Sequence, residues 1–148
     1  MAKIYAHTIP GRPKSEWESY QEHAWNVATG AEINADPFGA GWMGKASGLL
    51  HDLGKAKPSF QAYLEGGEQV PHAVDGALKA FEIINPNMAQ MLAYGIAGHH
   101  TGLPNGRGDA IEGASPTTPL DVRLEDAEAV DIPLGTEPGT PEPPQPSP

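Results

Sequence analysis

Residues 41–64, GWMGKASGLLHDLGKAKPSFQAYL, decide the fold. From Gly41 to Leu53 the apolar residues Trp42, Ala46, Leu49, Leu50 and Leu53 recur at the spacing of one helical face. Gly54 suits the end of that helix, and Pro58 suits the first turn of the next, whose Phe60, Tyr63 and Leu64 are predicted to face inward. The apolar run is interrupted by His51-Asp52. A charged Asp between Leu50 and Leu53 is costly to bury without a partner, and a metal cation is one such partner. Adjacent helical residues point about 100° apart, yet both can reach an ion placed near the helix end. The competing reading of the pair is an ordinary solvated helix terminus.

Working outward, the same periodicity covers most of residues 1–108. Ser15 and Glu18 have capping-box spacing and predict a helix start. Trp17, Tyr20, Ala24, Val27, Ala28 and Ala31 follow at helical intervals. HAVDGALKAFEII at 72–84 predicts a fourth helix, stopped by Asn85-Pro86. MAQMLAYGIAGHH at 88–100 predicts a fifth, ending in a glycine-rich loop. No segment alternates as a strand. The expected class is all-α, a compact helical bundle.

Composition changes near Asp109. Residues 1–108 carry 8 Lys/Arg and 10 Asp/Glu, a balance of −2, whereas residues 109–148 carry 1 and 9, a balance of −8. The acidic segment 109–132 is expected to be partly helical through PLDVRLEDAEAV. The end, 133–148, is proline-rich, lacks aromatic residues and reads as a disordered tail or linker, because it cannot bury enough apolar surface to offset its ordering entropy. Neither part is the basic surface of a protein that grips nucleic acid by its phosphates. There are no cysteines, so disulfides and thiolate zinc sites are excluded and any metal must be held by His, Asp, Glu or water. No early apolar run suits a signal peptide or a membrane span, so a cytoplasmic protein is expected.

The informative residues are the six histidines, His7, His23, His51, His72, His99 and His100. Imidazole is the commonest protein ligand for transition metals, and packed helices can converge His and Asp side chains on one point. His23 lies beside the apolar stripe of the first helix, where a satisfied half-buried His is the plainer reading. His72 begins a helix, where an exposed loop His is equally natural. His99-His100 stand at a helix end, where a His also favours the dipole. Lys55 reads as a solvated lysine or a phosphate contact near a metal. His7 reads as an ordinary residue of an extended start.

Taken together, the order His, His-Asp, His, His-His is similar to the signature of the HD superfamily of metal phosphohydrolases. YAHT at 5–8, HAWNVA at 23–28, GLLHDLGKAKPSFQAYL at 48–64, HAVDGA at 72–77 and AGHHTGLP at 97–104 resemble the HD nuclease domain of the type I CRISPR-associated helicase-nuclease. The resemblance covers about residues 4–105. It implies an HD-domain bundle over 1–108 and two divalent transition metal ions, iron or manganese, with nickel or cobalt as alternatives. His23, His51 and Asp52 match one ion's ligands. The resemblance further implies that Asp52 would bridge to a second ion, held also by His72, His99 and His100, and makes Asp52 and Lys55 the catalytic candidates.

The implied activity is endonucleolytic hydrolysis of single-stranded DNA by a metal-activated water, in antiviral defence, with the strand delivered by a helicase part and a guide-RNA surveillance complex. One family feature has no counterpart: a later Asp that completes the first ion's ligands. Asp121 and Asp126 are the only candidates to replace it. A truncated or split piece, or a minimal variant, is therefore expected. The alternatives are an HD nucleotide phosphohydrolase and a catalytically impaired remnant that binds a metal or a partner.

Overall fold

The structure, a computed structural model, describes residues 3–105, 118–125 and 127–131. It is all-α, apart from one small β-ribbon. Among the described residues six α-helices follow one another: α1 (Tyr20–Ala35), α2 (Gly41–Leu50), α3 (Pro58–Leu64), α4 (Asp75–Ile83), α5 (Pro86–Gly98) and α6 (Leu120–Glu125). The predicted tail 133–148 lies outside the described residues. Among them, no helix is long and apolar enough to cross a membrane.

Two helix pairs make the frame: α1 packs on α2, and α4 on α5. The α1–α2 contact is unusually close because Gly48 faces Ala28. A Cβ at Gly48 would lie 2.4 Å from Ala28 Cα, which no side chain tolerates. Between the pairs lies one core, in which Leu49, Leu50 and Leu53 meet Ala77, Ala80, Leu92 and Ile96. Leu120 of α6 is buried in the same core. Of the residues predicted to face inward from α3, Phe60 is buried and Leu64 half-buried, but Tyr63 is exposed.

The chain start differs from expectation in two ways. First, α1 begins at Tyr20, one box later than predicted. Ser15-x-x-Glu18 and Ser19-x-x-Glu22 both have capping-box spacing. The second one forms: Ser19 Oγ accepts from Glu22 N at 3.2 Å and donates to Glu22 Oε2 at 2.6 Å. Second, Tyr5–His7 (β1) and Glu18–Ser19 (β2) pair antiparallel, Tyr5 opposite Ser19 and His7 opposite Glu18. Strands of three and two residues are too short to show alternation in a sequence. Gln61 of α3 secures the outer edge of β1: Tyr5 N donates to its Oε1 at 3.0 Å, and its Nε2 donates to Tyr5 O at 2.9 Å. Its Nε2 also reaches Lys55 O at 2.7 Å, so one amide ties the ribbon to the turn after α2.

Candidate metal centre

That turn carries His51 and Asp52. α2 stops at Leu50, and a 3-10 turn runs from Leu53 to Ala56. Between them Asp52 is only 3 % exposed. Each of its carboxylate oxygens faces a different group of imidazoles. Around Oδ2 stand His23 Nε2 and His51 Nε2, each at 3.0 Å, and Lys55 Nζ at 2.8 Å. Around Oδ1 stand His99 Nε2 at 3.3 Å, His72 Nε2 at 3.7 Å and His100 Nε2 at 3.8 Å. Residues separated by up to 77 positions in the sequence thus converge on one carboxylate. All six residues expected to ligate metal are brought together, and Lys55 joins them.

Local structure aims these rings. His51 Nδ1–H donates to Gly48 O at 2.8 Å, and His99 Nδ1–H donates to Ile96 O at 2.6 Å. A carbonyl only accepts, so both Nδ1 atoms carry the proton: a neutral ring then has its Nε2 lone pair free for a cation beside Asp52, and a protonated ring donates from Nε2 to the Asp52 carboxylate. His72 sits in the loop before α4 rather than on the helix, whose first residue is Asp75. Gly54 makes room for it: a Cβ there would lie 2.4 Å from His72 O and 2.1 Å from Asp75 Oδ2.

The donor set fits divalent cations. The ligand atoms of Asp52, His72, His99 and His100 all lie within 4.8 Å of one another, as do those of His7, His23 and Asp52. His23 Nε2 and His51 Nε2 are 3.2 Å apart, and His72 Nε2 and His100 Nε2 are 3.0 Å apart. Nitrogen lone pairs repel at such distances unless a proton or a cation lies between them. Nitrogen and carboxylate donors without thiolate suit zinc, iron, manganese, nickel or cobalt ions better than soft metals.

The electrostatics agree. Burial alone would raise the Asp52 carboxyl, but hydrogen bonds from His23, His51 and His99 outweigh it and hold it far below the usual carboxylate range. For His99, burial opposes the charged ring, yet the hydrogen bond to Asp52 prevails and raises it. Burial lowers His72, against the pull of Asp52, and also lowers His100, helped by the neighbouring His99. Burial pushes the Tyr20 phenol up, with the negative charge of Asp52 adding to it. Tyr20 lies one turn before His23, and its buried hydroxyl has no hydrogen-bond partner among the described residues.

Four features escaped the sequence reading. His7, taken as an ordinary residue of an extended start, reaches the site from β1: its Nδ1 is 2.6 Å from Glu18 Oε2, and its Nε2 is 2.7 Å from Lys55 Nζ. For Glu18, the hydrogen bond to His7 and the charges of His23 and His7 overcome burial and lower its carboxyl. Lys57 and Asp75 form a buried ion pair, Nζ to Oδ2, at 3.0 Å. Among the described residues Oδ2 accepts no aligned hydrogen bond, and the lysine charge balances it, while Oδ1 accepts from Glu128 N at 2.8 Å. Arg123 of α6 donates through Nη1 to Ala97 O at 2.9 Å and Thr101 Oγ1 at 2.8 Å, closing the end of α5 beside His99 and His100. The early signals were the words YAHT, GLLHDLGKAKPSFQAYL and HAVDGA, which hold His7, Lys57 and Asp75.

One expected substitute ligand is corrected. Asp121 is exposed on α6, its Oδ1 accepts from its neighbour Val122 N at 2.9 Å, and it belongs to neither ligand cluster. A helix only six residues long, anchored through Leu120 and Arg123, presents Asp121 to solvent. Asp126 lies outside the described residues.

No curated protein matches the chain. The family model of the HD domain matches residues 20–132. Proteins of that family bind divalent metals and are metal-dependent hydrolases, the class of activity that the match implies here. The match takes in His23, His51-Asp52, His72 and His99-His100 and spans more than half of the 148 residues, so the chain belongs to the HD-domain family.

Proposed function

We propose that the chain hydrolyses phosphodiester bonds of single-stranded DNA with two divalent cations, which His23, His51, Asp52, His72, His99 and His100 would hold. The observation that carries this reading is the division of imidazoles between the two carboxylate oxygens, His23 and His51 at Oδ2 and His72, His99 and His100 at Oδ1. One carboxylate between two such groups is suited to bridging a pair of ions. Bound divalent cations supply Lewis acidity toward a phosphoryl group and acidify a coordinated water. The protein's own residues prepare for that chemistry. Gly48 O and Ile96 O fix the tautomers of His51 and His99. Lys55, 3 % exposed, holds its positive charge beside Oδ2, where a phosphate oxygen approaching the centre would meet it. No side-chain nucleophile is required.

DNA as the substrate is supported by the words HDLGKAKPSFQAYL and GHHTGLP, which resemble the nuclease of type I CRISPR systems. The near-neutral balance of residues 1–108 suits a strand delivered by a helicase and a guide-RNA surveillance complex rather than one gripped independently. The second reading is an HD nucleotide phosphohydrolase. It is favoured by Arg123, which stands beside the end of α5 and adds a guanidinium near His100.

The test is incubation of circular single-stranded DNA with the purified chain and manganese, beside Asp52→Ala. Loss of the circle with wild type and its survival with the variant support the proposal. Hydrolysis of deoxynucleotides with the circle intact transfers it to the second reading. A folded, metal-loaded chain that attacks neither overturns both and leaves a binding module.

A further inference from the structure

A cavity of about 790 Å³ opens beside His72 and His100, two of the three imidazoles that face Asp52 Oδ1. It is therefore continuous with the candidate metal centre. Its walls are mainly apolar, with Val70, Pro71 and Val74 on the loop before α4, and its polar lining includes Gln69, Thr101 and Arg123. A phosphate alone needs no such space. The volume falls within the range of small-molecule sites, about 300–1,000 Å³, which pair apolar walls with a few placed polar groups.

Arg123 is prepared for an anion. Nε is fixed on Thr118 O at 2.9 Å, and Nη1 on Ala97 O and Thr101 Oγ1. Nη2 makes no hydrogen bond among the described residues, and no carboxylate among them pairs with the guanidinium. An arginine held on three acceptors, with no carboxylate partner among the described residues and lying on a cavity wall, is suited to meet an anion.

We infer that this cavity is a nucleoside subsite. It takes the base and sugar attached to the phosphate bound at the metal centre, and Arg123 meets the next phosphate along the strand. The inference rests on the proposed phosphoester chemistry only for the placement of the first phosphate. It adds that recognition runs toward α6, through one nucleotide with phosphates on both sides.

Calorimetric titration of the manganese-loaded chain with thymidine 3′,5′-bisphosphate and with methyl phosphate tests it. The bisphosphate is expected to bind about tenfold tighter or more. Ala73→Phe, which fills the cavity, should erase that advantage, and Arg123→Gln should reduce it. Methyl phosphate, which needs only the metal centre, reports whether the centre survives each substitution. If Ala73→Phe loses methyl phosphate as well, Val70→Trp fills the cavity from another residue and decides. Equal affinity for both ligands, or an advantage that survives filling, overturns the subsite. A bisphosphate advantage without cleavage of DNA leaves the subsite standing and removes the nuclease, whereas cleavage without the advantage does the reverse.

Discussion

Asp52 and Lys55 stand one turn apart in the chain and 2.8 Å apart in space, carboxylate against ammonium, both almost fully enclosed. Removing one member of such a pair strands the other. Asp52→Ala is expected to lower stability by about 3–5 kcal/mol in chelator, measured by urea unfolding. The double variant Asp52→Ala/Lys55→Met should recover much of that loss without recovering metal, counted by elemental analysis. Wild type at a hundredfold excess of ion over its Kd should gain about 2.7 kcal/mol per site, and chelator should remove the gain. Neither variant should respond to chelator.

The contact of Gly48 with Ala28 sets the distance between α1 and α2, and so between His23 and His51. Gly48→Ala is expected to cost about 1–3 kcal/mol by overpacking and to weaken ion binding at the Oδ2 side. Gly30→Ala, in the exposed interior of α1 with nothing near its Cβ, should instead stabilise by about 0.5–1 kcal/mol. Thermal unfolding and calorimetric ion titration of the two variants would check both signs.

Asp75 is 1 % exposed and holds Lys57 on one oxygen and the Glu128 main chain on the other. Asp75→Ala leaves a buried ammonium and a free N–H, so a loss of about 3–5 kcal/mol is expected in urea unfolding. Because Lys57 Nζ also donates to Pro71 O at 3.1 Å, the loop carrying His72 should loosen. Faster amide exchange at residues 70–74 in the variant would record this. Unchanged exchange there would show that the ion pair does not hold the loop.

The pH response follows from the shifts with their signs. His99 is raised in the folded chain, so its stabilising contact with Asp52 is fully present below the unfolded value of about 6.5 and fades as pH rises through the folded value. Asp52 is lowered, so its contribution is present above about 3.9 and is lost as acid protonates it. His72 and His100 are lowered and act oppositely to His99, subtracting stability as pH falls below about 6.5. In metal-free buffer, the stability difference between wild type and His99→Ala should therefore grow from pH 8 to pH 6. A difference that shrinks over that range would contradict the pairing with Asp52.

The bundle and the ligand histidines were legible because both write periodic or adjacent signals. The stripe from Trp42 to Leu53 marks α2, and His51-Asp52 and His99-His100 mark two helix ends. What was illegible depends on contacts between distant positions. His7 meets Lys55, Lys57 meets Asp75, and Arg123 meets Ala97, and nothing local in either partner announces the other. The start of α1 failed for a different reason: two consecutive boxes compete, and Glu18 of the first is engaged with His7 across the ribbon, while the second caps the helix. Asp121 failed as a ligand because sequence order does not say which face of a short helix meets the core.

The placement of Asp52 between the two helix pairs bears on how long a cation stays. The imidazoles on Oδ2 come from α1 and the turn after α2, and those on Oδ1 from the loop before α4 and the turn after α5. Ions seated on both oxygens would act as a clasp across the joint, so escape of either would require the two halves to part. Dwell time would then measure how often the domain breathes, and a substitution far from any ligand that loosens the joint would shorten it.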